Sequence, residues 1–244
     1  MKLLVSGKGG AGKSAVTILL ARKLLENGPV YVLDADESNR LLSRALGVKT
    51  PEAIADYLGG RKDLRDRINE YEKVKLDELS EDYLKISEDG IKFAVVGKIE
   101  EYGEGCACPY GFLSKELLKR IELGKESSII VDTEAGIEHL GRAIEEGIDK
   151  IIVIVDPTAE GVEIARMLKV ETERINKPLY VVLNKTRGDL GELMKDKLKE
   201  AGLETSAEIK YDEEIFRSSL EGEKIQAKIA LEGISDLAKS LRDN

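Results

Sequence analysis

Apolar runs of strand length recur along the chain at positions 2–5, 30–33, 92–96, 129–131, 151–155 and 179–183. They are continuous rather than alternating, the pattern of strands buried on both faces of a parallel sheet. Between them stand segments of helical period at 14–26, 37–46, 112–123, 137–146, 159–175, 190–200 and 225–241. In the first of these, Val16, Leu19, Leu20 and Leu24 fall on one face and Gly28 marks the stop. Strand and helix in alternation predict an α/β fold, a mostly parallel central sheet with helices on both faces. The stretch 59–89 is charged and weakly periodic, with a helix expected at 63–71 and a strand at 83–87. It holds too little apolar material to fold alone, so it reads as an excursion within a single domain spanning 1–244.

Charge narrows the partners. Lys and Arg number 38 against 47 Asp and Glu, a net charge of -9, which argues against a protein that binds nucleic acid by neutralising phosphates. No apolar run approaches the length of about 20 residues that spans a bilayer, and no signal-peptide pattern precedes the first strand. The expectation is a soluble, cytoplasmic protein with neither nucleic acid nor membrane as partner. With 35% charged residues and no Trp, the composition leans towards the ion-pair-rich style of thermophile proteins.

The chemistry begins directly after the first strand. Gly7-Lys8-Gly9-Gly10-Ala11-Gly12-Lys13-Ser14 fits the phosphate-loop pattern G-x-x-x-x-G-K-[ST] in the strand, loop, helix setting it requires. The expected fold is therefore the three-layer P-loop NTPase. Successive backbone N–H groups of Gly9, Gly10, Ala11 and Gly12 would face the phosphates at the positive end of the following helix. Lys13 would neutralise the β and γ phosphates, and Ser14 would offer its hydroxyl to Mg²⁺. The cofactors expected are thus ATP or ADP with Mg²⁺, and the activity is ATP hydrolysis. Lys8 is additional to the plain pattern. Lys8 to Ser14 resembles the deviant P-loop of the group containing MinD, ParA and the nitrogenase iron protein. The resemblance implies a homodimer in which Lys8 crosses the two-fold interface to the partner's nucleotide.

Acidic residues close two other strands. Leu33-Asp34-Ala35-Asp36 places two carboxylates at the carboxyl end of a parallel strand, where ligands bind. The resemblance implies that Asp36 orients the attacking water while Asp34 supports the metal shell. The other reading of this pair is a cap on a helix starting at Glu37. Ile129-Ile130-Val131-Asp132 has the Walker B form, so Asp132 should reach Mg²⁺ through water or Ser14. Thr133-Glu134-Ala135-Gly136 follows as a switch that senses the γ phosphate, with Gly136 free to move. Asn184 ends the run Val181-Val182-Leu183, where the resemblance implies a residue that reads the adenine edge.

Cys106 and Cys108 are the only cysteines, too close to bridge each other, and so point to metal or redox chemistry between chains. Two thiolates are too few for a closed tetrahedral site, but two-fold symmetry would bring four to one point. Such a site suits Zn²⁺, Ni²⁺ or an iron–sulfur cluster. The flanking Gly105 and Pro109 suggest an exposed turn before the helix at Phe112. Together, the P-loop, Cys106-Ala107-Cys108-Pro109 and Asp132-Thr-Glu-Ala-Gly-Ile-Glu-His-Leu-Gly-Arg142 resemble the CooC family of nickel-insertion ATPases, which mature carbon monoxide dehydrogenase. The resemblance implies that ATP closes the dimer, that both Cys106–Cys108 pairs bind Ni²⁺ or Zn²⁺, and that carbon monoxide dehydrogenase or a related nickel enzyme is the client. His139 lies in the family motif, where packing beneath the switch is its plainest role. Two alternatives stand beside this reading: a MinD- or ParA-like positioning ATPase and an iron–sulfur electron-transfer ATPase. The tail 234–244 carries mixed charge and few bulky apolar residues, unlike a basic amphipathic membrane helix.

Overall fold

The computed structural model describes residues 1–37, 39–60, 64–98, 108–133 and 147–243. Its strands are β1 (Lys2–Gly7), β2 (Val30–Asp34), β3 (Lys85–Ile86), β4 (Lys92–Val95), β5 (Ser128–Asp132), β6 (Lys150–Val155), β7 (Leu179–Thr186) and β8 (Thr205–Lys210). They form an eight-stranded sheet in the order β3-β4-β2-β5-β1-β6-β7-β8. Every pairing is parallel except the antiparallel β3–β4 edge. The helices are α1 (Lys13–Leu24), α2 (Leu42–Leu46), α3 (Ile54–Tyr57), α4 (Leu64–Asn69), α5 (Cys108–Arg120), α6 (Ala159–Arg174), α7 (Leu190–Glu200), α8 (Glu213–Glu221) and α9 (Leu231–Ser240).

This is the α/β architecture that continuous apolar strands demand. Alternate strand residues feed two separate cores. Leu4, Leu33, Val131 and Val153 point into one, filled by Leu113 and Leu117 of α5, Leu168 of α6 and Leu198 of α7. Leu3, Val5, Val32, Ile130 and Ile152 point into the other, against Val16 and Leu20 of α1, Leu46 of α2 and Leu237 of α9. Each strand is thus apolar on both faces, whereas each helix needs only a stripe. Leu64, Ile68, Leu76 and Leu84, from the charged stretch 59–89, join the first core. Among the described residues no helix is long and apolar enough to cross a membrane.

Several boundaries differ from those read in the sequence. The helix expected over 37–46 begins only at Leu42. Before it, Asp36 N–H donates to Asp34 Oδ1, Asn39 N–H to Asp36 Oδ1 and Leu41 N–H to Asn39 Oδ1. Short polar side chains thus take the N–H groups that a helix would need. The reading of Asp34 and Asp36 as caps on a helix starting at Glu37 therefore falls. The helix expected at 112–123 starts four residues sooner, at Cys108, so Cys108 opens α5 rather than lying in a turn before it. Cys106, the helix expected at 137–146 and His139 lie outside the described residues. The strand β8 was not expected, because this edge strand buries only Ala207 and Ile209 and is otherwise polar.

The helix expected over 225–241 starts only at Leu231, as α9, and α8, which precedes that range, is an element the sequence reading does not contain. Asp212 accounts for the late start of α9. It caps α8 by accepting from Glu214 N–H and also takes the N–H groups of Lys228 and Ala230 at 2.6 and 2.9 Å, pinning the return segment to the head of α8. Asp212→Ala should lower the unfolding free energy by about 1–3 kcal/mol, since it leaves inward N–H groups without acceptors. The measurement is the urea midpoint, which should fall at unchanged slope.

Candidate functional site

The parallel register sets the ends of the central strands level. Val5 pairs with Asp132, Asp132 with Asp34, and Asp34 with Val95. Everything beyond that level therefore lies at the carboxyl edge of the sheet, where the crevice of an open α/β sheet takes its ligands. β1 delivers the phosphate loop there, β2 delivers Asp34, β5 delivers Asp132, β6 leads to Asp156 and β7 to Asn184.

Two glycines shape the loop. Gly7 has φ +141°, and a Cβ there would stand 2.4 Å from Ile154 O, so β1 can run against β6 only without a side chain. Gly12 has φ +99°, and a Cβ would meet Asn184 Nδ2 at 2.4 Å. Asn184 Nδ2 donates to Ala11 O at 2.8 Å and Lys185 Nζ to Gly10 O at 2.6 Å. The end of β7 thereby pulls two loop carbonyls towards itself. α1 follows directly, with Gly12 as its N-cap, no side-chain cap and no acidic residue in its first turn. Its N-terminal N–H groups and the positive end of its dipole are left for an anion. Lys13 is buried, its Nζ 3.5 Å from Lys8 O.

Behind the loop, Ser14 Oγ donates to Asp132 Oδ2 at 2.7 Å, and Asn39 Nδ2 donates to Ser14 Oγ at 3.2 Å. The other oxygen of Asp132, Oδ1, is buried and accepts no hydrogen bond from any described residue. An orphaned carboxylate oxygen is costly in a protein interior. Its place beside the Ser14 hydroxyl and the loop suits Mg²⁺ with its waters, so the residues present fit the ion. Burial pushes the Asp132 carboxyl up to about 6, against the opposing pull of the Ser14 hydrogen bond and Lys13. Burial raises Asp34 further, to about 7, although Lys98 draws it down. Thr133, at the start of the expected switch, is buried and donates to Val5 O at 2.9 Å. Glu134, Ala135 and Gly136 lie outside the described residues.

Lys8 turns away from the loop. Its Nζ stands 3.0 Å from Asp156 Oδ2, 3.5 Å from Glu160 Oε2 and 3.2 Å from Thr158 Oγ1, all at the head of α6. Beside the loop opens an apolar pocket lined by Gly12, Val16, Asn184, Ile209, Tyr211 and Phe216, of a size to accept a planar ring. Sequence reasoning gave no role to Lys98, Lys185, Asp156 or Asn39. Each is an ordinary polar residue in a loop or at a strand end, and only its partner across the fold marks it out.

A family model described as "CobQ/CobB/MinD/ParA nucleotide binding domain" matches residues 2–225. The chain belongs to this family. It is a nucleotide-binding ATPase working with ATP or ADP and Mg²⁺. Among curated relatives, the uncharacterized ATP-binding protein MJ0084 of Methanocaldococcus jannaschii is 39% identical, covering 94% of this chain and 96% of its own length. The carbon monoxide dehydrogenase accessory protein CooC of Rhodospirillum rubrum is 32% identical over 181 residues, covering 69% of this chain and 68% of its own length. Among solved structures, the septum site-determining protein MinD of Pyrococcus horikoshii complexed with Mg-ADP aligns with a TM-score of 0.70. It shares 21% identity, over 98% of this chain and 94% of that one. A ParA family ATPase from Chlorobium tepidum aligns equally well, with a TM-score of 0.70 at 19% identity and 98% coverage of each chain. These two likenesses speak to the fold.

The raised carboxyls of Asp34 and Asp132 give the ATPase a pH signature. A metal at this site must displace their protons, so its binding is complete above the raised values and is lost as pH falls through them. The Mg²⁺-dependent gain in ADP affinity should be full near pH 8, fall by about tenfold per pH unit between about 7 and 6, where one proton is displaced, and by up to about a hundredfold per unit below about 6, where both are. Titration of methylanthraniloyl-ADP with and without Mg²⁺ across this range measures it, and a flat profile would contradict the assignment.

Proposed function

We propose that this ATPase is a CooC-type metallochaperone. Nucleotide closes a homodimer, closure brings the Cys106–Cys108 pairs of both subunits together around Ni²⁺ or Zn²⁺, and the metal is handed to carbon monoxide dehydrogenase or a related nickel enzyme. The observation that carries this reading is the 32% identity with CooC over 181 residues, in a chain that holds Cys-Ala-Cys-Pro at 106–109. The metal at the thiolates is cargo.

In this reading the N–H groups of Gly9, Gly10, Ala11 and Gly12 cradle the phosphates, and Lys13 neutralises them. Ser14 and Asp132 hold Mg²⁺, with Asp34 behind them. The ion, when bound, neutralises charge on the β and γ phosphates. Asp36 orients the attacking water. The base enters the apolar pocket, where Asn184, its Nδ2 already given to Ala11 O, offers its carbonyl oxygen to the adenine amino group. Lys8 serves the partner's nucleotide, and to do so it leaves Asp156 and Thr158, its partners within the single chain. Dimer closure then exchanges one charge-assisted contact for another, so the cost of releasing Lys8 is largely offset when phosphate is there to receive it.

Light-scattering chromatography with elemental analysis tests this, with and without ATP plus Ni²⁺ or Zn²⁺, on wild type and Cys108→Ser. The expected outcome is a nucleotide-dependent dimer carrying about one metal per two chains, absent in the variant, as a two-fold site of four thiolates requires. A dimer without thiol-dependent metal would leave an ATPase switch whose output lies elsewhere.

A further inference from the structure

The acidic loop after β2 is held by a residue that belongs to none of the motifs. Lys98 stands three positions beyond the end of β4 at Val95. Its side chain is 13% exposed, and its Nζ lies 2.7 Å from Oδ2 of Asp34, itself 3% exposed. The same ammonium donates to Asp36 O and to Asn39 O, at 2.5 Å each. An ammonium has three N–H donors, and here all three go to the single segment 34–39.

That arrangement differs from a solvated surface lysine. A largely buried charge is tolerated when an opposite charge and further hydrogen bonds satisfy it, and Lys98 has both. The segment it grips reaches the centre of the site. Asp36 Oδ1 accepts from Asn39 N–H at 3.0 Å, and Asn39 Nδ2 donates to Ser14 Oγ, which donates to Asp132 Oδ2. The loop has no helix to stiffen it, since α2 begins only at Leu42. Among its described residues, Asp34, Asp36 and Asn39 are held by these side-chain contacts.

We propose that Lys98 is a positioning residue for ATP hydrolysis: by clamping the Asp36 and Asn39 carbonyls against the Asp34 carboxylate, it sets where the Asp36 side chain stands relative to Ser14 and Asp132. This rests on Asp36 as the residue that orients the water. Lys98 also occupies Asp34, so that the acidic cluster takes its divalent ion with the nucleotide rather than alone. Two consequences follow that a merely structural lysine would not produce. Turnover depends on Lys98 more than nucleotide affinity does, and the nucleotide-free protein binds divalent metal more tightly once Lys98 is gone.

The experiment compares wild type, Lys98→Met, Lys98→Arg and Asp36→Ala by steady-state hydrolysis, by methylanthraniloyl-ATP affinity and by Mn²⁺ binding to nucleotide-free protein from its electron paramagnetic resonance signal. Asp36→Ala should be inactive. Lys98→Met should lose about 10- to 100-fold in kcat, the scale on which a misplacement of about 1 Å acts, with nucleotide affinity changed far less and Mn²⁺ bound several-fold more tightly. Lys98→Arg keeps the charge but spreads its donors over a planar fork instead of presenting three from one nitrogen, and should fall between. An inactive Asp36→Ala beside a Lys98→Met of wild-type kcat would overturn the role of Lys98 alone. A fully active Asp36→Ala would overturn the reading of Asp36 and the proposal with it. Equal losses of binding and turnover in Lys98→Met, or unchanged Mn²⁺ affinity, would mark Lys98 as structural only and overturn the proposal. Should Lys98→Met fail to fold, the charge-preserving Lys98→Arg carries the test: a lowered kcat at near-normal nucleotide affinity supports the proposal, and a wild-type kcat overturns it.

Discussion

Negative charge crowded into one small, nearly dry place governs this structure. The β2–β5 register sets Asp34 directly beside Asp132, at a strand spacing of about 4.8 Å. Both carboxylates are almost wholly buried. A triphosphate would bring still more charge of the same sign. Such a cluster survives only where cations and N–H donors are fixed around it beforehand, because mobile water is too scarce to screen it. Lys13 and the open N-terminus of α1 face it from the loop side, and Lys98 faces it from the far end of β4.

The phosphate loop is fixed in a corresponding way from the other side. Ala11 O and Gly10 O are drawn to Asn184 and Lys185 at the end of β7, and Gly7 lets β1 lie against β6. With the Gly10 and Ala11 carbonyls committed outward, the loop N–H groups are left for the ligand, apart from Ala11 N–H, which donates to Lys8 O at 3.1 Å. This is preorganisation: the reorganisation that water would otherwise have to make is completed during folding. Lys185 has a left-handed backbone, φ +62°, at one of two irregularities in the register of β7, and its side chain reaches the loop from there. The Lys8 ammonium, by contrast, is committed among the described residues to the head of α6 at the rim of the site. In the proposed dimer it is the cation that changes partner.

Much of this was legible in the sequence. Strands apolar on both faces declare a covered parallel sheet, because no other environment hides both sides of a strand. The P-loop and the Walker B strand announce themselves because phosphate and Mg²⁺ chemistry demand particular residues at particular spacings within one short segment. The places where the reading failed share a cause. The segment 37–41 has helical composition, yet Asp34, Asp36, Asn39 and Lys98 take the backbone groups that a helix would use. The polar edge strand β8 and the late start of α9, set by Asp212, likewise depend on partners distant in sequence.

The sequence by itself determined the fold class, the phosphate loop and the carboxylates at strand ends, since each is encoded in contiguous residues whose local period or spacing is sufficient. Only the tertiary structure decided which cations answer those carboxylates. Lys98 lies 64 positions from Asp34, Asp156 stands across the sheet edge from Lys8, and Asn184 reaches Ala11 over 173 positions. A charged side chain is satisfied by whatever the packed sheet brings within about 3 Å of it, and that distance is set by strand order and register, which no short stretch of sequence contains.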